Sequence, residues 1–224
     1  MKVTPMMQQY LDVQERCPDA ILFFRLGDFY EVFFEDAEVV SRELEITLTS
    51  REQGDEEIPM AGVPVQNAET YVNQLIDKGF TVAICEQVED ADQASGIVKR
   101  DVVRLVTPGV VLDTDTLEAK QCNFVAAVAP TEAGVDADCG IACLDVSTGD
   151  FRVTEVNTVE QLVSELNRIE PREVLVPGSR QEDFDEISAA LEGVFVRPRD
   201  EESFESGELL EKLSGDPRLA EDLD

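Results

Sequence analysis

Residues 21–51 read ILFFRLGDFYEVFFEDAEVVSRELEITLTSR, and how this stretch divides decides the fold. The apolar run 21–26 reads as a strand, broken at Gly27-Asp28. From Asp28 to about residue 43, Val32, Phe33, Val39, Val40 and Leu44 supply apolar positions near a period of 3.6, which predicts a helix. Asp28 would be its N-cap and Glu31 its N3 residue, close to a capping box, and a carboxylate in the first turn suits the helix dipole. Phe29 at N1 would then tuck into a core. Residues 45–50 alternate as a second strand.

The flanks extend this pattern. Thr4 and Pro5 read as N-cap and N1 of a first helix, with Met7, Tyr10 and Leu11 at helical spacing and Pro18 as its stop. Residues 51–64, rich in Gly, Pro and charge, read as a long loop. Asn67 caps a helix through Lys78 that ends at Gly79. Residues 81–88 and 98–106 read as strands. This makes a mixed α/β domain over residues 1–111.

Residues 112–120 hold three acids and several small residues and read as a linker. A second domain, residues 121–224, follows. Residues 124–129, 140–146 and 150–156 read as strands, the last two joined at Ser147-Thr148-Gly149. Thr158 and Gln161 form a capping box for a helix through Arg168. Residues 173–176 read as a strand, 182–191 as a helix and 194–196 as a strand. The order βββαβαβ suggests a ribonuclease H-like fold. The last twenty or so residues are acidic and helix-prone, and the domain reads as truncated at its C-terminus.

The chain of 224 residues carries 18 Lys plus Arg against 49 Asp plus Glu, a net charge of −31. The excess is spread: residues 1–120 carry −14 and residues 121–224 carry −17. An acidic mimic of nucleic acid would concentrate it in a stripe. Even spreading, with five Lys against thirteen Arg, fits a high-salt cytoplasm, where the Debye length at 1 M falls to about 3 Å. Five cysteines without a C-x-x-C spacing read as reduced thiols of a cytosolic protein. Cys139 and Cys143 share a strand face about 13 Å apart, too far for one metal ion. No run of 18 apolar residues and no secretory h-region is present.

Several short motifs stand in order along the chain: Thr4-Pro5-Met6-Met7-Gln8-Gln9-Tyr10, Gly27-Asp28-Phe29-Tyr30-Glu31, Ile58-Pro59-Met60-Ala61-Gly62-Val63-Pro64, Val82-Ala83-Ile84-Cys85-Glu86-Gln87 and Val103-Arg104-Leu105-Val106-Thr107-Pro108-Gly109. In order and spacing they resemble the N-terminal mismatch-sensing domain of the MutS family of DNA mismatch repair proteins. The likeness is close over residues 1 to about 110, and looser beyond, where the chain resembles the family's connector domain. The family's Phe-x-Glu pair matches Phe29 and Glu31. The resemblance implies that Phe29 enters the minor groove beside a mispair and that Glu31 hydrogen-bonds the mispaired base. An apolar wedge unstacks a base step for a few kcal/mol, and a mispair has already lost part of that stacking. By position, Arg51 and Arg100 match family arginines that lie at the DNA, as backbone-positioning contacts. Arg100 belongs to a basic island, Lys99, Arg100 and Arg104, with one acid, Asp101, over residues 95–112. Met60 reads as a loop anchor. One departure stands out: many members carry an aromatic and a His after the Gly-x-Pro, where Val65 and Gln66 stand here, and the chain has no His.

No G-x-x-x-x-G-K-[ST] is present, so no P-loop, ATP or Mg site is expected in this chain. The family places its ATPase, lever and clamp domains beyond the connector. The resemblance therefore implies a fragment without catalysis of its own, from an ATP-dependent homodimer that meets a MutL-type partner through the connector. Two other readings compete. One is a paralogue binding branched or recombining DNA, against which the Phe-x-Glu pair argues. The other is a metal-dependent nuclease built on the second domain. Such a nuclease needs several carboxylates around two metals, and only Asp145 and Asp150 stand near a fitting place.

Overall fold

The computed structural model describes residues 4–53, 56–89, 97–110, 123–131, 134–191 and 193–204. The chain divides into two compact units, Met1–Glu118 and Ala119–Asp224. The linker expected at 112–120 and the acidic stretch from 205 onward lie outside the described residues.

The first unit opens with α1 (Pro5–Gln14), where Met7 N–H donates to the Thr4 hydroxyl and Pro5 stands at the start. Strand β1 (Ile21–Leu26) follows. Next comes β2 (Phe29–Phe33), where the sequence led us to expect a helix; α2 (Phe34–Leu44) begins only after it. Phe29–Phe33 is mostly aromatic and β-branched, and β2 lies between two strands, with Val32 and Phe33 buried on opposite faces and Phe29 exposed. Its apolar residues therefore form a near-continuous run that also satisfies a helical period. With the helix start moved to Phe34, Asp28 and Glu31 do not form a capping box. The chain leaves α2 through Glu45 in the left-handed region, φ 54°, so the strand expected at 45–50 starts later, as β3 (Thr49–Gln53).

Residues 51–64, expected as a loop, form most of a hairpin: β3 pairs antiparallel with β4 (Glu56–Pro64). The prolines that suggested a loop stand at the ends of the β2–β4 ladder. Pro59 lies one residue beyond its last pair, Phe33–Met60, and Pro64 closes it opposite Phe29. At ladder ends a missing N–H is tolerated. Helix α3 (Ala68–Asp77), β5 (Val82–Gln87) and β6 (Arg100–Val106) complete the unit. The sheet order is β3-β4-β2-β1-β5-β6, with β1 and β5 parallel and the other pairs antiparallel.

Alternation divides this sheet into two faces. Ile21, Phe23, Tyr30, Val32, Val63 and Ile84 pack with α2 and α3. Leu22, Phe24, Phe33, Ile58, Ala83 and Cys85 pack under Met7, Tyr10 and Val13 of α1. Tyr10 lies edge-on to Phe24 and Phe33 at 5.4 and 4.9 Å, and Phe33 N–H donates to its hydroxyl at 3.3 Å. This buried bond fixes where β2 ends.

The second unit contains β7 (Phe124–Thr131), β8 (Gly134–Asp145), β9 (Asp150–Val156), α4 (Val159–Ile169), β10 (Glu173–Pro177), α5 (Gln181–Ser188) and β11 (Phe195–Arg199). The βββαβαβ order matches the sequence reading. The sheet runs β11-β10-β7-β8-β9, with the β7–β8–β9 meander antiparallel and β10 parallel to both β7 and β11, as a ribonuclease H-like connector requires. Gln161 N–H donates to the Thr158 hydroxyl at 3.2 Å, and the Gln161 side chain accepts from Asn157 N–H at 3.1 Å. Leu162, Leu166, Phe184 and Ile187 of the two helices pack on Ala126, Ile141 and Val174 of the sheet.

Candidate nucleic-acid interface

Strand β1 turns into β2 at Gly27-Asp28, where Gly27 adopts φ +61°, a conformation that L side chains rarely adopt. The turn sets Phe29 opposite Leu26 and Glu31 opposite Phe24. Alternation from Phe33 places Phe29 and Glu31 on the sheet face that α1 covers elsewhere. Beyond the helix this face is open: Phe29 is 46% exposed, unlike Phe23, Phe24 and Phe33, which are fully buried. Phe29 is thus a surface aromatic, not a core one.

Across β2, Glu31 pairs with Gly62 of β4. A Cβ built on Gly62 would stand 3.7 Å from Phe29 Cδ1 and 3.9 Å from Glu31 Cγ. Both side chains therefore lean over β4 at the one position without a side chain. Our sequence reading passed over Gly62; its signal was a glycine within a β-strand, which marks close approach of another group.

Arg51 of β3 reaches Glu31 over β4. Its Nη1 stands 3.0 Å from Glu31 Oε2, with the Glu31 side chain 19% exposed and the Arg51 side chain 44% exposed. Burial pushes the Glu31 carboxyl up from the ordinary glutamate value, and the Arg51 guanidinium offsets only part of that push.

Arg100 lies on the same face by register but points inward, and is 8% exposed. Its Nε donates to the Arg25 carbonyl at 2.6 Å, and its Nη1 to Gln9 Oε1 and the Val98 carbonyl at 3.1 and 2.9 Å. The guanidinium stands 5.2 Å above the Phe24 ring, and burial holds its pKa below the usual arginine value. The basic island is not one patch: Arg104 turns to Glu69, with Nη2 2.8 and 2.9 Å from its two oxygens. Met60, half-buried, packs against the α1-side core from a strand rather than a loop.

In the second unit, Asp145 is 1% exposed. Its carboxylate accepts from Ser147 N–H at 2.9 Å, Ser147 Oγ at 2.6 Å, Thr148 N–H at 3.3 Å and Asn123 N–H at 3.3 Å. Burial alone would raise this carboxyl; the hydrogen bonds, led by those from Ser147, outweigh it and hold the pKa below the ordinary aspartate value. Asp150, at the other end of the turn, pairs with Arg152. Asp145 organises the turn, and Asp150 is held by Arg152. Among the described residues no three His, Cys, Asp or Glu gather closely enough to hold a metal ion.

The family model of MutS domain I matches residues 4–115, and that of MutS domain II matches residues 123–216. The DNA mismatch repair protein MutS of Desulforamulus reducens is 52% identical over 180 residues, 79% of this chain and 20% of that protein. That of Syntrophobacter fumaroxidans is 46% identical over 219 residues, 97% of the chain and 24% of the relative. The Myxococcus xanthus MutS is 48% identical over 189 residues, 84% and 21% of the two chains. The chain thus spans a fifth to a quarter of the length of these relatives, and no helix among its described residues is long and apolar enough to cross a membrane. Two domain models in sequence, over two units of the expected architecture, show that the chain belongs to the MutS family and carries its domains I and II.

Proposed function

We propose that this chain recognises mispaired or unpaired bases in duplex DNA, as the N-terminal part of an ATP-dependent mismatch repair protein. The observation that carries the reading is the pairing, on one open sheet face, of a half-exposed Phe29 with a partly buried, incompletely compensated carboxylate, Glu31. Phe29 acts as the wedge and kinks the duplex at a weakened step. Glu31 accepts from a base N–H that a mispair leaves unused, and on perfect duplex it gains no such partner. Arg51, on the open face, faces the DNA backbone. Arg100 is assigned to the DNA side indirectly: it ties α1, β1 and β6 together beneath the interface.

The net charge of −31 conflicts with binding a polyanion at low salt. The reading is coherent for a protein of a high-salt cytoplasm, where repulsion is screened within about 3 Å at molar ionic strength. The chain itself carries no catalysis on this view. Nucleotide hydrolysis, homodimer formation and the meeting of the connector with a MutL-type partner belong to the longer protein.

The test is binding of the full-length protein at high salt to one duplex with and without a single mispair. A preference of tenfold or more (about 1.4 kcal/mol) that Phe29→Ala abolishes is expected. Equal affinity for both duplexes would overturn the reading.

A further inference from the structure

The contact between Arg51 and Glu31 ties together two residues with separate expected duties, one toward phosphate and one toward a base. We propose that Arg51 is the exchangeable counter-ion of Glu31: it neutralises the carboxylate in the free protein and on perfect duplex, and releases it to a phosphate only when a mispaired base supplies a replacement N–H donor. The proposal rests on the mismatch-recognition reading above and adds to it a coupling between backbone docking and base inspection.

Three observations carry it. The first is geometry: Nη1 and Oε2 stand 3.0 Å apart across β4, from strands two places apart in the sheet. The second is the surroundings of Glu31. Its cross-strand partners are Phe24 and Gly62, neither of which can take a charge or donate from a side chain, and the charged group that acts on it is Arg51. Remove Arg51, and a carboxylate that burial already disfavours loses its counter-charge among the described residues. The third is asymmetry. Arg51 is the more exposed partner, so it can swing outward without disturbing the sheet, whereas Glu31 is held on an interior strand.

A guanidinium offers several N–H groups but one positive charge. While that charge is matched by Glu31, Arg51 displaces no counter-ion from DNA, even if a second N–H touches a phosphate. On perfect duplex the ring N–H donors of guanine and thymine are engaged in Watson–Crick pairs and cannot replace the guanidinium, so the pair stays closed. At a mispair a base N–H takes over Glu31, and the positive charge of Arg51 becomes available to the backbone. The salt dependence of binding should therefore differ between the two duplexes by about one phosphate contact.

Two measurements test this. In the full-length protein, Arg51→Ala should reduce the slope of log K against log salt by about one on mispaired duplex and leave the perfect-duplex slope unchanged. Glu31→Gln should bring the perfect-duplex slope up to the mispaired one, because Arg51 is then free on both. An equal fall in slope on both duplexes with Arg51→Ala would make Arg51 an ordinary phosphate contact and overturn the exchange. The second measurement needs no DNA: carbon-detected titration of the Glu31 carboxyl in the present chain. Arg51→Gln should shift its midpoint upward; no shift would overturn the counter-ion role whatever the protein binds. A shifted titration in a protein without mispair preference would instead overturn the reading on which the exchange rests, and the exchange with it.

Discussion

Glu31 and Asp145 are two partly or wholly buried carboxylates, one in each unit, and the protein treats them in opposite ways. Asp145 is the more deeply buried, yet its pKa is lowered, because backbone N–H groups and a hydroxyl converge on it from one tight turn. Glu31 is less buried, yet its pKa is raised, because burial disfavours its charge and the partner it has among the described residues is a half-exposed arginine from two strands away. Depth alone does not set the state of a buried acid; the number and proximity of donors does. A turn supplies donors from its own backbone. A strand in the middle of a sheet has committed its N–H groups to its neighbours and can offer a side chain none.

The comparison can be broken in four places. A large effect is expected at the turn. Asp145→Ala removes several charge-assisted hydrogen bonds and strands buried N–H groups, so the second unit should lose roughly 3 kcal/mol. A loss below about 0.5 kcal/mol in urea unfolding would mean that Asp145 does not organise the turn. Phe29→Ala should be nearly silent in the same assay, under about 1 kcal/mol, since about half of the side chain is already in water. In mispair binding by the full-length protein, however, it should remove about 1–3 kcal/mol of discrimination. Phe33→Ala, four residues on and fully buried, gives the contrast: about 3–5 kcal/mol of stability. A Phe29 variant that behaved like the Phe33 variant would return Phe29 to the core.

Smaller effects follow from the signs of the two shifts. A raised carboxyl stabilises the fold below the ordinary glutamate range, near 4.5, and loses that contribution as pH rises through its folded value. Glu31→Gln should therefore stabilise the first unit at neutral pH, by less than about 1 kcal/mol, with the gain vanishing in acid. Asp145 runs the other way. Its contribution is present above the ordinary aspartate value, 3.8, and is lost as pH falls through the lower folded value. Acid unfolding of each variant beside its parent separates the two; parallel curves would show that the carboxylates are equivalent. The most diffuse expectation concerns charge. A chain at −31 should gain melting temperature as KCl rises, because self-repulsion is screened. A flat or falling melting temperature would leave salt adaptation without support.

How much of this could be read from the sequence depended on how local the deciding forces are. The second unit was legible almost throughout: its turn at Ser147-Thr148-Gly149, its cap at Thr158 and its element order all follow from short-range chemistry. In the first unit, the spacing over β2 predicts a helix because Val32 and Phe33 are buried on opposite faces and the exposed position, Phe29, is an aromatic, so no apolar–polar alternation betrays the strand. The β3–β4 hairpin was taken for a loop because Pro59 and Pro64 are harmless only at ladder ends, which cannot be known before the register is. The candidate site was half legible. The Phe-x-Glu motif pointed to Phe29 and Glu31, and position within the family to Arg51, but nothing local told that Arg51 reaches Glu31, that Phe29 and Glu31 lean over Gly62, or that Arg100 turns inward.

Strand β2 is an interior strand of its sheet. It is hydrogen-bonded along both edges, to β1 and to β4, and its far end is pinned by the Tyr10 hydroxyl. A probe mounted on such a strand yields little under load. On the proposed reading, the strain of contact falls almost wholly on the duplex, and the softer of the two bodies is the one being tested. Phe29 then works as a fixed stylus that measures local stiffness, and a mispair is found as the place where the helix gives.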